Sequence, residues 1–287
     1  MRNKTLFAAL IAVLALIAAL LPTTGRSVGF SEGLTFYAFD VGQGDSFMFH
    51  FPTGENLLVD AGTRKSADSL VSKLKALGVE KIDILVATHP HEDHIGGMVS
   101  VISAFDIGKV WDSGYNHGSS VQKKFLEAVK KKQIRFGRPR AGFTEDIGEA
   151  EIEVIAPRSP ISGTDSDANN NSIVLRVSMG EVSFLMMGDI EERGREQAGA
   201  FPRSTVLKLS HHGSHNGTDE KLLREAEPEA VIFSYGKNNS YKHPHKKVLK
   251  LLEKYGKKHD LKSYATVNGD IRIETDGKSY KVTQDGE

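Results

Sequence analysis

Between His89 and His94 the chain places three histidines and two carboxylates in six consecutive residues, His89-Pro90-His91-Glu92-Asp93-His94. The segment follows the apolar run Ile82-Asp83-Ile84-Leu85-Val86-Ala87 and precedes the pair Gly96-Gly97. A strand that reads as buried thus ends directly in ligand-type side chains. Neutral imidazole binds zinc and similar borderline metals, and a carboxylate can bind or bridge them. Residues two apart at a strand end point the same way, so His89 and His91 can share one ion. Asp93 and His94 follow one turn later and can serve a second ion close by. A solvated polar turn also accommodates histidines, but five ligand-type residues in six positions are hard to obtain that way. The spacing predicts a two-metal hydrolase site.

Four further segments supply what the cluster lacks. Met186-Met187-Gly188-Asp189 reads as a strand ending in Gly-Asp, where Asp189 can bridge two ions or be an ordinary turn aspartate. Leu207-Lys208-Leu209-Ser210-His211-His212-Gly213-Ser214 is a second strand that delivers histidines at its end. One of His211 and His212 can complete the second ion's shell, and the other can donate to a substrate oxyanion. Lys208 alternates with buried positions and either holds a phosphate or faces solvent. His243, in a loop before a helix, suits a substrate or supporting role, or a place on the surface. The fourth segment pairs Asp40-Val41-Gly42-Gln43-Gly44-Asp45-Ser46 with Val59-Asp60-Ala61-Gly62. Its glycines permit tight turns near a ligand. Asp60 ends a strand and can orient a metal-bound histidine. Asp45 and Ser46 read as turn-fixing residues.

The whole chain bounds these readings. Its 287 residues suffice for one large domain or two small ones. With 37 basic and 37 acidic side chains there is no global field for nucleic acid, so any such binding needs a local patch. Lys123, Lys124, Lys130, Lys131 and Lys132 give one helix a basic outer face, read first as solvated surface. The absence of cysteine excludes disulfides, thiolate zinc sites, cysteine nucleophiles and a lipid-attached cysteine. It also suits an oxidising compartment.

Arg2 and Lys4 precede an unbroken apolar run from Leu6 to Leu21, which Pro22 ends. This is the layout of a secretory signal. No clean small-x-small cleavage site stands between Leu21 and Gly33, so an uncleaved anchor stays open, and residues 1–30 are expected to be a signal peptide or a signal anchor. The expected location is therefore secreted, or on the outer face of the cytoplasmic membrane and anchored through residues 6–21. Residues 31–287 are expected to form the hydrolase domain, with no obligate protein partner.

Composition and periodicity predict strands over 34–40, 46–51, 56–60, 82–87, 107–111, 151–156, 172–178, 182–187, 205–210 and 230–234. Helices are predicted over 67–77, 94–105, 119–132, 219–227 and 246–255. Two short strands close the chain around Asn268-Gly269 and Asp276-Gly277. Residues 158–171 read as a polar loop outside the core that can line a substrate groove. Two sheets packed together with helices outside satisfy this pattern.

The order and spacing of these motifs resemble the metallo-β-lactamase superfamily, whose histidine motif matches His89, His91, Asp93 and His94. Within it, the chain is similar to the hydrolase domain of ComEC-type competence proteins. That likeness rests on the segment Asp40 to Ser46, Leu58 to Gly62, Asn170-Asn171-Ser172-Ile173-Val174-Leu175, Gly188-Asp189, Lys208 to Ser214 and His243-Pro244. The resemblance implies an α/β fold, a four-layer αββα sandwich with metals at the sheet edges. It implies His89 and His91 on a first ion, Asp93 and His94 on a second with His211 or His212, and Asp189 bridging. Many members carry one more histidine between the cluster and the Gly-Asp motif. Here His117 is the candidate by type, while the matching position is Asn171. The first site is thus expected to be poorer in ligands, with Zn²⁺ or Mn²⁺ filling the pair.

A metal-activated hydroxide attacking a phosphodiester is the implied chemistry. His212, His243 and Lys208 are expected to add positive charge at the developing oxyanion. The expected function is an exported nuclease acting on DNA. The competing readings are hydrolysis of another extracellular phosphoester, such as a cell-wall phosphocholine, or of a β-lactam, and a non-catalytic binding module on the same fold.

Overall fold

The computed structural model describes residues 33–285, so the leader expected over residues 1–30 lies outside them. The first sheet begins with β1 (Leu34–Ala38), β2 (Phe47–His50), β3 (Asn56–Val59), β4 (Lys81–Ala87), β5 (Asp106–Asp112) and β6 (Arg135–Gly137). The second holds β7 (Thr144–Ile147), β8 (Ala150–Ala156), β9 (Val174–Met179), β10 (Val182–Met186), β11 (Val206–Lys208), β12 (Ala230–Phe233) and β13 (Lys262–Ala265). The closing hairpin, β14 (Ile271–Thr275) and β15 (Tyr280–Gln284), returns to the first sheet and pairs with β1. Each sheet is antiparallel in one half and parallel in the other, with β3, β4, β5 and β6 parallel in the first and β10, β11, β12 and β13 in the second.

The central strands are largely apolar because both of their faces are covered. Along β2, Phe47 and Phe49 point into the core between the sheets while Met48 points the other way. In β10, Phe184 and Met186 face the inter-sheet core and Leu185 faces outward. The inter-sheet core centres on Phe36, Phe49 and Phe184, with ring centroids 4.9, 5.1 and 5.3 Å apart. Outside the first sheet, helices α1 (Ala67–Ala76), α2 (Glu92–Ile95), α3 (Met98–Ala104) and α4 (Ser120–Lys131) seat Leu70, Ile95, Val101 and Phe125 against it. Helices α5 (Asp167–Asn170), α6 (Glu192–Ala198), α7 (Glu220–Ala226) and α8 (Lys246–His259) follow later in the chain. From these, Ala198, Leu222 and Val248 seat against the second sheet. Three cores between four layers make the αββα sandwich.

Several elements differ from expectation. The helix predicted over 94–105 is two helices, broken at Gly96-Gly97. A Cβ on Gly97 would stand 2.2 Å from the Ala61 carbonyl oxygen, so the chain passes too close there for any side chain. Strands β6 and β7 and helix α6 lack an apolar period and were not expected. The chain closes with three strands rather than two, and Asp276-Gly277 lies in the turn between β14 and β15. Asn169, Asn170 and Asn171 are buried, although their composition places them in a solvated loop. Among the described residues no helix is long and apolar enough to cross a membrane.

Candidate metal centre

Parallel strands carry their C-terminal ends to one edge of the sandwich, where side chains leaving the two sheets face each other. Strand β3 runs into Asp60, β4 into Thr88 and His89, β10 into Asp189, β11 into His211 and His212, and β12 into Ser234. The backbone is left-handed at three residues on two of these exits: φ is 60° at Asp60, 49° at His211 and 54° at His212. Non-glycine residues rarely adopt this conformation, and the surrounding packing must hold it. Gly44 answers a different constraint, since a Cβ there would lie 2.3 Å from the Asp93 carbonyl oxygen. The Asp45 amide bonds that same oxygen at 3.1 Å, so the loop after β1 lies flat against the histidine cluster.

One carboxylate oxygen is the hub. Asp189 Oδ2 lies 3.2 Å from His94 Nε2, 3.4 Å from His212 Nε2, 3.8 Å from His211 Nε2 and 3.9 Å from His89 Nε2. His212 Nε2 also stands 3.3 Å from Asp93 Oδ2, and His89 Nε2 is 3.0 Å from His91 Nδ1. Asp93, His94, Asp189 and His212 each offer a ligand atom, all within 4.8 Å of one another. Behind them, His94 Nδ1 is 2.7 Å from Asp60 Oδ2. A carboxylate there fixes a proton on Nδ1 and aims Nε2 toward Asp189. Asp60 is itself held by the Thr88 amide at 2.9 Å and the Thr88 hydroxyl at 2.6 Å.

The electrostatics follow from packing many ionisable groups out of water. Burial opposes the charge on His94, but Asp189, Asp60 and Asp45 outweigh it and raise its pKa well above the usual value. His212 is likewise disfavoured by burial, yet Asp189 and Asp45 push it up to about 10. The Asp189 carboxyl is held well below its ordinary range, the surrounding His94, His212 and His211 overcoming its burial. His89 moves the opposite way, depressed by burial and then by His94. His243 falls to about 4 through burial and its neighbours His211 and His212.

The donor set fits divalent cations. His94 Nε2, His212 Nε2 and Asp189 Oδ1 are buried with no hydrogen-bond partner among the described residues, and so is Asn169 Oδ1. Buried polar atoms rarely stay unsatisfied. Here His94 Nε2 and His212 Nε2 converge on Asp189 Oδ2 in a geometry that a cation would satisfy.

Not every expected residue reaches the site. His89, His91, Asp93, His94, Asp189 and His212 come together. His211 stands beside them, with Nδ1 3.2 Å from Glu191 Oε1. Lys208 does not face substrate or solvent. It is fully buried under the centre, ion-paired with Asp45, and its Nζ donates to the Gly188 carbonyl at 3.1 Å. Its strand is covered on both faces, so alternation offers no exposed side. Asn171 also points away, its side chain bonded to Ile161 and Asp167. Two residues earlier, Asn169 lines the cleft instead and donates to Glu191 Oε1 at 3.0 Å. Asp45 is more than a turn residue, since it is the buried counter-charge for Lys208 and lies 3.2 Å from His212 Nδ1. Asn169 and Glu191 escaped the sequence reading, the first inside a run of three asparagines and the second without a motif. The centre opens into a cleft of about 510 Å³ whose walls include Gln43, Glu92, Asn169, Tyr241 and His243.

A family model described as the Metallo-beta-lactamase superfamily matches residues 39–237. The chain belongs to this superfamily. It is 30% identical over 236 residues to ComE operon protein 3 of Bacillus subtilis, covering 75% of this chain and 30% of that protein. It is 31% identical over 223 residues to competence protein ComA of Neisseria gonorrhoeae, covering 76% and 29%. These are ComEC-type competence proteins, and the chain spans about 30% of their length. Among solved structures it is similar to CmlA, a diiron β-hydroxylase of Streptomyces venezuelae, with a TM-score of 0.58 and 13% identity over 86% of this chain and 55% of that one. That likeness is one of fold alone, and the chemistry in the name belongs to CmlA. The chain is thus a member of the metallo-β-lactamase superfamily related to competence proteins, with a residue set that fits divalent metals.

Proposed function

We propose that this metallo-β-lactamase relative is a dinuclear phosphodiesterase that cleaves DNA outside the cytoplasm. The observation that carries the reading is the convergence of four imidazole nitrogens on Asp189 Oδ2, within 3.9 Å, beside a polar open cleft. His89 and His91 would hold a first ion and Asp93, His94 and His212 a second, with Asp189 within reach of both and Asn169 on the cleft wall. Zn²⁺ or Mn²⁺ suits this nitrogen and oxygen donor set. When bound, two such cations supply Lewis acidity and lower the pKa of water at neutral pH.

The chain's own residues do the rest. Asp60 keeps His94 in one tautomer. Glu191 fixes Asn169 and His211 together. His243, neutral at pH 7 because its pKa falls to about 4, offers a hydrogen bond from the cleft wall to a substrate oxygen. Lys208 acts from below by balancing Asp45, and contributes no substrate contact.

Choline recognition needs several aromatic faces around the cation. Of the residues lining this cleft, Tyr241 alone is a tyrosine, phenylalanine or tryptophan, which favours a phosphodiester backbone over a phosphocholine. The names of the competence relatives support DNA as the polymer. An extracytoplasmic location rests on the signal-like residues 1–30. The test is cleavage of labelled single- and double-stranded DNA with Mn²⁺ or Zn²⁺ present. The natural chain is expected to cut and Asp189→Ala to be inactive. A folded, metal-loaded natural chain that leaves both substrates whole would overturn the proposal.

A further inference from the structure

The chain's zero net charge conceals a strongly cationic segment. Residues 113–140 carry five lysines and three arginines against one carboxylate, Glu127. Lys123, Lys124, Lys130, Lys131, Lys132, Arg135 and Arg138 are exposed, and the inner face of α4 is taken by Gln122, Phe125 and Val129. One loop of the segment approaches the metal centre. The His117 ring lies 5.4 Å from the His91 ring. Its loop is fixed, because the His117 and Gly118 amides both donate to Gln122 Oε1 at 2.9 Å and Gln122 Nε2 donates to the Tyr115 carbonyl at 2.7 Å.

Two guanidinium groups crowd the same spot on this loop. The point where a Cβ would stand on Gly114 lies 3.0 Å from Arg140 Nη2 and 3.5 Å from Arg138 Nε. Arg140 is tethered through Nη1 to the Ser113 carbonyl at 3.0 Å, which leaves Nη2 on the Gly114 side. Neither arginine has an ion pair among the described residues. Asp112 is the acidic group nearby, but it is buried and its Oδ1 accepts from the Gly114 amide at 2.6 Å. Like charges this close without an exposed counter-charge attract an anion with several acceptor oxygens, and guanidinium geometry matches phosphate.

We propose that Arg138 and Arg140 form a phosphate clamp beside His91, and that the lysine face of α4 continues it as the track on which a nucleic-acid strand enters the centre. The inference rests on the nuclease reading for the identity of the polymer. Beyond that reading, it assigns the first ion's side of the cleft as the side from which the backbone approaches.

The test uses the full, metal-loaded chain and the variants Arg138→Gln/Arg140→Gln and Arg138→Gln alone. The single variant serves because Arg140 also ties Ser113. Anisotropy of a fluorescein-labelled phosphorothioate oligothymidylate reports binding across a salt series. Turnover of bis(p-nitrophenyl) phosphate reports the metal centre. The expected result is binding weakened about tenfold, a log K versus log salt slope shallower by about 0.7 per lost phosphate contact, and unchanged small-substrate turnover. Equal affinity and slope in natural chain and variants would overturn the clamp. So would binding of the natural chain to phosphatidylserine vesicles but not to the oligonucleotide. Binding that the variants lose, together with no cleavage of unmodified oligonucleotide by the natural chain, would uphold the clamp and overturn the nuclease reading.

Discussion

Two buried aspartates show how much of this centre is decided by residues that never meet substrate. Asp60 bonds His94 Nδ1 at 2.7 Å from a left-handed backbone position. Removing its charge frees the imidazole to rotate or change tautomer. Asp60→Asn is therefore expected to weaken metal binding about 10- to 100-fold, measured by competition with a chromophoric chelator, with the fold retained. Affinity equal to that of the natural chain would show that packing alone orients His94. Asp45 is paired with Lys208, both fully buried. Breaking one side of such a pair leaves a buried charge, so Lys208→Met is expected to cost about 3–5 kcal/mol in urea unfolding. The double variant Asp45→Asn/Lys208→Met should recover much of that loss. A Lys208→Met protein of natural stability with a raised KM would instead make Lys208 a substrate residue. The histidine cluster was legible because metal chemistry restricts residue type at fixed spacing. Lys208, Asn169 and Asn171 were not, because the same side chains serve loops, surfaces and buried pairs, and only tertiary packing chooses among them.

At the scale of elements, strands with both faces covered were plain in the sequence, since β2, β3, β4 and β10 are largely apolar, with one or two polar residues each. Short edge strands such as Arg135–Gly137 carry no period, and their place comes from pairing with β5. Helix α6 is hidden for a related reason, since it is held by Arg195, which reaches Asp219 at 2.8 Å. Asp219 also caps α7, accepting from the Leu222 amide at 2.8 Å. Burial opposes its ionisation, but the Leu222 amide and Arg195 outweigh that and lower its pKa below the ordinary 3.8. A carboxyl lowered on folding stabilises above its unfolded pKa and loses that contribution as pH falls through its folded pKa. Asp219→Ala is expected to cost about 1 kcal/mol at pH 7, mainly as a lost cap. The gap between natural chain and variant should narrow as the pH drops through the lowered value. A gap independent of pH would show that the hydrogen bond to Leu222, not the charge, does the holding.

On the scale of the whole molecule, both sheets repeat one plan, an antiparallel half followed by a parallel half. The parallel halves deliver their strand ends to the same edge, and ligands from two distant stretches of chain meet there. His89 and His94 come from the first sheet, Asp189 and His212 from the second. The sequence shows this order of motifs but not the meeting, which requires the inter-sheet core to set the distance between the two edges. A centre assembled in this way should hold its ions as a pair and lose them together when the shared carboxylate goes. The most direct measurement is metal bound per chain alongside phosphodiester turnover, for residues 33–285 and for the same chain with Asp189→Ala. Two ions and turnover are expected in the first, and loss of both in the second. Natural turnover in Asp189→Ala, or a folded natural chain that binds neither Zn²⁺ nor Mn²⁺, would contradict it.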